Sequence, residues 1–161
     1  MTRLLRKTLF TGFIFILSAG TALAGEILMP FVLAGTSSDD VATVSGQVKG
    51  KLTGAGFEVV GEYSPYKDAN IIIVTNDTLK ASAAKSDFGA YGAAQRVSVT
   101  RNGDKTEIVY TNPVYMAAAY RMAGDLASTR AALEGALGAE KDFGSEKNLT
   151  ADDLRKYHYT V

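Results

Sequence analysis

Apolar and polar positions along the chain repeat with two periods, one of helices and one of strands. Val41, Val44, Val48 and Leu52 recur at spacings of three and four, which places them on one face of a helix. Ser37, Ser38, Asp39 and Asp40 offer N-caps for it, and Gly54 and Gly56 stop it. Gly46 and Gly50, four apart inside that helix, give it a flat side suited to close packing on a sheet. Before it, residues 26–34 are apolar and strand-prone, with Pro30 confining them to an edge or bulged strand. Residues 57–63 alternate, which puts Phe57, Val59 and Tyr63 on one face and Glu58 and Glu62 on the other. The continuous apolar run 70–75 predicts a central strand, covered on both faces or packed under a helix.

Asn76 or Asp77 can cap a short helix through Lys85 that turns Leu79 and Ala83 inward, and residues 88–92 form a glycine-aromatic loop. Strands 95–101 and 104–111 then flank Asn102-Gly103, a type I′ hairpin signal. A loop of those two residues pairs Val99 with Thr106, Val97 with Ile108 and Gln95 with Tyr110. Arg96, Ser98, Glu107 and Val109 fall on the opposite face, with Arg96 and Glu107 as diagonal neighbours. Asn112 caps the next helix with Pro113 at its first position. Met116, Ala119, Met122, Leu126, Leu133 and Leu137 stripe that helix to Gly138, and Gly124-Asp125 can break it in two. Strands joined by hairpins, with helices grouped apart, predict an α+β domain of two layers, an antiparallel sheet packed against helices.

After Gly138 the chain turns polar. Thr150 and Asp153 form a capping box that opens one more helix, but few residues come after it. The expected organisation is a single domain over 25–138 and a polar linker and C-terminal tail over 139–161. Residues 145–161 are expected to be the least ordered part of the mature chain apart from Gly25, a linker or the stump of a longer protein, with Leu149 and Leu154 as their few apolar anchors and Tyr157 and Tyr159 as the residues able to pin them.

The N-terminus changes the reading of composition. Arg3, Arg6 and Lys7 precede the apolar stretch 9–17, and Ala22-Leu23-Ala24 is a small-x-small cleavage site. Residues 1–24 therefore read as a signal peptide cleaved after Ala24, and the apolar core is too short to span a bilayer comfortably. Its removal takes three cations and no anion from 17 basic and 17 acidic residues, leaving a mildly acidic, periplasmic chain. That balance argues against a nucleic-acid partner and restricts membrane contact to the transient leader.

Composition also removes much chemistry. With no cysteine in 161 residues there is no disulfide, thiolate nucleophile or Cys-type zinc site. The lone His158 offers no metal cluster and argues against a Ser-His triad. Asp-Phe-Gly occurs at 87–89 and at 142–144, but nothing else of the kinase signature accompanies it, so it reads as turn composition. Asp39-Asp40 and Asp152-Asp153 stand at helix starts, where the helix dipole explains them without a cation. No catalytic residue, metal site or cofactor is predicted.

The tyrosines carry the remaining signal. There are eight, with no tryptophan. Tyr110, Tyr115 and Tyr120 gather where the last hairpin strand meets the following helix, and Tyr63, Tyr66 and Tyr91 lie in or beside loops able to reach that junction. Of these, Tyr91, Tyr110 and Tyr115 make, with Arg96 and Asn112, a candidate groove for a small anionic or aromatic ligand. The alternative is that these phenol rings finish the core with their hydroxyls at the surface.

Four segments in order carry a family likeness. They are Leu52-x-x-x-Gly56-Phe57-Glu58-Val59-Val60, Ile71-Ile72-Ile73-Val74-Thr75-Asn76, Ala94-Gln95-Arg96-Val97-Ser98-Val99 and Tyr110-Thr111-Asn112-Pro113-Val114-Tyr115-Met116. Together they resemble the bacterial and archaeal family known as domain of unknown function 302. The likeness covers roughly 31–137. Many members have Pro-Cys before the Arg/Asn-Val strand, where this chain has Ala93-Ala94-Gln95, so thiol chemistry does not carry over. The resemblance implies a TATA-binding-protein-like β-α-β4-α arrangement, often dimeric, with no assigned activity.

The expected function is an exported ligand-binding or accessory module without catalysis. Two alternatives stay open: an enzyme using a tyrosine as acid or base beside Arg96, and a structural module acting as a homodimer.

Overall fold

The computed structural model describes residues 25–87 and 89–158. The leader expected over 1–24 lies outside the described residues, as do Phe88 of the first Asp-Phe-Gly and Tyr159 of the tail.

Six strands form one antiparallel sheet in the order β2-β3-β4-β5-β1-β6, with helices packed on one of its faces. The architecture is the expected α+β, two-layer one. β1 (Phe31–Ser37) starts directly after Pro30, whose missing N–H would have broken a ladder begun any earlier. α1 (Val41–Gly54) is capped by Asp40, whose Oδ1 accepts the Thr43 N–H at 2.9 Å. It buries Val44, Ser45, Val48 and Leu52. Its glycines pack on nothing: a Cβ at Gly46 or Gly50 would meet no atom within 4 Å, so neither gives the close packing on the sheet that their spacing suggested.

β2 (Glu58–Tyr63) pairs with β3 (Ala69–Thr75), and here the expected alternation fails. Val59 pairs with Val74 and Gly61 with Ile73, so Val60 is an extra residue, a β-bulge. The bulge flips the parity of the rest of the strand. Val59 stays on the helix face, Tyr63 goes to the other, and Glu62 turns in under α1. β3 is packed under helices on one side only, which decides between the two possibilities its apolar run allowed. α2 (Asp77–Ala83), capped by Asn76, buries Leu79 and Ala83 as expected.

β4 (Gln95–Asn102) and β5 (Lys105–Thr111) form the hairpin at a register two residues from the expected one. Asn102 pairs with Lys105, and Gly103 opens the loop with φ +60°, so Gly103-Asp104 rather than Asn102-Gly103 make the turn. A shift of two preserves the faces but changes every partner: Val97 sits opposite Tyr110 and Val99 opposite Ile108. It also separates Arg96 from Glu107, which lies opposite Thr100 and accepts from Asn102 Nδ2 at 2.9 Å.

The long apolar stripe breaks where Gly124-Asp125 signalled it, into α3 (Pro113–Ala119) and α4 (Ala127–Leu137). The core between sheet and helices holds Val32, Ile72, Val74, Val97, Val99 and Tyr110 against Val44, Val48, Leu52, Leu133 and Leu137. At Gly138, with φ +100°, a Cβ would run into the Ala34 carbonyl oxygen at 2.6 Å. Glycine there lets the chain turn tightly from α4 back across β1.

The segment after Gly138 is no linker. β6 (Lys141–Phe143) pairs with β1 at the sheet edge, and Asp142 clasps Arg130 of α4 through two contacts of 2.9 Å. The capping box at Thr150 and Asp153 does open a helix, α5 (Ala151–Lys156). That helix docks on α3: Leu154 is buried with Leu28 and Ala118, and Val114, Tyr115 and Leu149 pack around them. Arg121 donates to the Arg155 and Tyr157 carbonyls, while Arg155 donates to the carbonyl of Met122. The expected free tail is thus a second small core on the outer side of α3, at least through the described residues.

Candidate functional site

Of the five residues expected to line one groove, Arg96 and Tyr110 border one shallow depression, and Tyr91, Asn112 and Tyr115 lie elsewhere. Tyr110 is fully buried on the helix face, and its hydroxyl donates to the Gly138 carbonyl at 3.2 Å. Burial pushes its pKa up to about 12. Asn112 is buried and fully occupied as the cap of α3: Oδ1 accepts the Val114 N–H and Nδ2 donates to the Met29 carbonyl at 2.8 Å. Tyr115 lies in the small core beneath α5. Tyr91 belongs to the 3-10 turn Gly89–Gly92 and stacks on Tyr120 at 5.6 Å, on the rim of a separate cleft with Ser86 and Ala123. Arg96 faces open space from the middle of the sheet.

The pairing registers place its neighbours. Across the face away from the helices, one row reads Gly61, Ile73, Arg96, Thr111, Phe31 and Phe143. The next reads Tyr63, Ile71, Ser98, Val109, Leu33 and Lys141. An uncovered antiparallel face is normally polar, since water supplies the partner of each side chain. This one is mainly aliphatic and aromatic. Phe31 and Phe143 lean together at 5.9 Å, and Phe31 and Tyr63 remain 40% and 51% exposed.

A shallow depression of about 290 Å³ lies on this face, with Ile71, Arg96, Ser98 and Val109 as floor and Phe31 and Tyr63 at its sides. The two aromatics stand on β1 and β2, four strand spacings, or roughly 19 Å, apart. Ser98 Oγ donates to the Val109 carbonyl at 3.2 Å and Thr111 Oγ1 donates to Gln95 Oε1 at 3.0 Å. The Arg96 guanidinium makes no hydrogen bond or ion pair among the described residues. The face therefore offers one unspent cationic fork in an apolar setting, where its attraction for an anion is screened less than in bulk water.

Tyr63, expected among the tyrosines able to reach the groove, does border the depression, whereas Phe31, Ile71, Ser98 and Val109 were missed as site residues, although a signal for most of them was present. The hairpin alternation sets Arg96 and Val109 on one face and Tyr110 on the other at either register. Tyr110 borders the depression beside Arg96, but its side chain is wholly buried on the helix face, so of the two only Arg96 presents a side chain to it. Among the described residues no group of three histidine or acidic side chains is placed to hold a metal ion, and no helix is long and apolar enough to cross a membrane. No protein-family model matches the chain, and no curated protein matches it either.

Proposed function

We propose that this chain is an exported, non-catalytic binding module whose open sheet face takes a small amphipathic anion, a carboxylate on a short apolar body. The observation that carries the reading is the unpartnered Arg96 guanidinium between Ile73 and Thr111, with Ile71 and Val109 in the next row. A guanidinium presents two parallel N–H groups that match the two oxygens of a carboxylate. The surrounding aliphatic floor matches the body, and Phe31 and Tyr63 supply flat walls. The volume lies at the small end of ligand sites, which favours a compact ligand. The leader over 1–24 supports a periplasmic location. The resemblance to the domain of unknown function 302 family accords with the order of β1, α1 and the next four strands, and it supplies no chemistry of its own.

Calorimetric titration with octanoate and with octanol separates the charge from the apolar body. The reading expects octanoate to bind at least about tenfold more tightly than octanol, a difference of about 1.4 kcal/mol. Equal affinities, or no heat with octanoate, would remove it. So would light scattering that finds a stable dimer whose formation buries this face.

A further inference from the structure

A second concavity, of about 730 Å³, lies on the helix side of the sheet between the first half of α1 and the β2–β3 edge. Its walls include Ser45, Gly46, Lys49, Glu62, Asp68 and Asn70. At its centre Glu62 accepts from Lys49 Nζ at 3.0 and 2.9 Å and from Asn70 Nδ2 at 2.8 Å. Asn70 is 8% exposed, so this bond fixes its carboxamide, and its Oδ1 makes no hydrogen bond among the described residues.

Two further observations point to an occupant. Ser45 is 4% exposed at the cleft wall; its Oγ is turned away from water and has no hydrogen-bond partner among the described residues, a condition shared by Thr129 Oγ1 on α4. A buried hydroxyl left unpaired costs about 1–3 kcal/mol, which turning the Ser45 hydroxyl into the cleft toward a partner would remove. Gly46 sits in the helix interior with a Cβ position that meets nothing within 4 Å. Glycine there costs roughly 0.5–1 kcal/mol against alanine, and neither a turn nor close packing requires it. It leaves room beside the helix where the cleft opens.

We propose that this cleft binds a neutral polyhydroxylated ligand, a mono- or disaccharide. Each sugar hydroxyl both donates and accepts. The wall alternates in the same way: Asn70 Oδ1 and the Asp68 carboxylate accept, while the Lys49 ammonium and a rotated Ser45 hydroxyl donate. An anion would meet three carboxylates here, Asp40, Glu62 and Asp68. A cation would have to displace Lys49 from Glu62. An uncharged polyol incurs neither penalty.

The test is an amide NMR titration of the ¹⁵N-labelled protein with glucose, galactose, sucrose and trehalose, and with spermidine as the cationic rival. The expected result is saturable shifts at Ser45, Gly46 and Asn70 with at least one sugar at millimolar concentration. Gly46→Leu should keep or raise the melting temperature, because a Cβ there meets no atom within 4 Å and leucine favours the helix, yet weaken the sugar by about tenfold or more. Gly50→Leu, on the same stripe but not in the cleft wall, should leave binding unchanged. The proposal is overturned by the absence of saturable shifts with all four sugars, by shifts with spermidine alone, by Gly46→Leu binding like the original chain, or by Gly50→Leu weakening binding equally. None of these outcomes touches the Arg96 face, which lies across the sheet.

Discussion

The two faces of the sheet are built from the same strands by alternate residues, yet they end in opposite conditions. On the helix face Val32, Ile72, Val97, Val99 and Tyr110 are wholly buried. On the other, Phe31, Leu33, Ile71, Ile73 and Val109 are nearly as apolar and remain in part at water, around an exposed Arg96. Burial explains the first set completely, because every side chain removed from water stabilises the fold. It does not explain the second. Apolar side chains kept at an open surface mark a place where something else completes the burial.

The sharpest way to break this contrast uses two neighbours. Ile72→Ala should cost about 3–4 kcal/mol in urea unfolding, because it opens a cavity under α1, whereas Ile71→Ala should cost about 1 kcal/mol or less. Similar losses at both positions would mean that the open face is covered in the free protein. A second comparison concerns the outer side of α3, which the polar tail was expected to leave bare. Leu154→Ala should cost about 2–3 kcal/mol, and truncation after Gly144 should lower the melting temperature clearly. A truncated chain of unchanged stability would return 145–158 to the status of a linker.

Smaller effects arise from ionisation on the covered side. Tyr110 holds its proton longer in the folded state, so its contribution is complete below the unfolded value and is lost as pH rises from about 10 toward about 12. Tyr110→Phe should flatten that alkaline limb while costing about 1 kcal/mol near neutrality for the lost bond to Gly138. Glu62 is shifted the other way: hydrogen bonds from Lys49 and then Asn70 hold its carboxyl below the ordinary glutamate range. Its contribution is present above the unfolded value and disappears as acid protonates it. Glu62→Gln should therefore shallow the acid limb of a pH–stability curve slightly, since the pair with Lys49 is partly at water.

Local signals were legible in the sequence and tertiary ones were not. Asp40, Asn76, Asn112 with Pro113, and the Thr150–Asp153 box all cap helices where the residue types indicate, because a cap is decided within one turn. The bulge at Val60 has no such mark: Val59 and Val60 are alike, and pairing with β3 chooses which is extra. The hairpin turn was located, but its register is set by Val97 meeting Tyr110 in the core, which outweighs the Asn-Gly preference. β6 is three residues long and exists only because β1 offers an edge and Phe31 a ring for Phe143. The candidate site was half legible. Arg96 stands out by its isolation among apolar neighbours, while Tyr110 and Asn112, distant along the chain, come near it through the pairing of β4 with β5, but strand parity and capping had already committed their side chains elsewhere.

The central claim is that Arg96 serves a ligand and not the fold. Its most direct test replaces the charge with an apolar side chain, Arg96→Leu, and measures melting temperature and octanoate affinity on the same preparation. An exposed, unpartnered guanidinium contributes nothing that leucine would lose, so the variant should melt at the same temperature or higher. Its octanoate affinity should fall by about tenfold or more. A clear drop in melting temperature would make Arg96 a structural residue, and undiminished octanoate binding would place the anion elsewhere; either result contradicts the account.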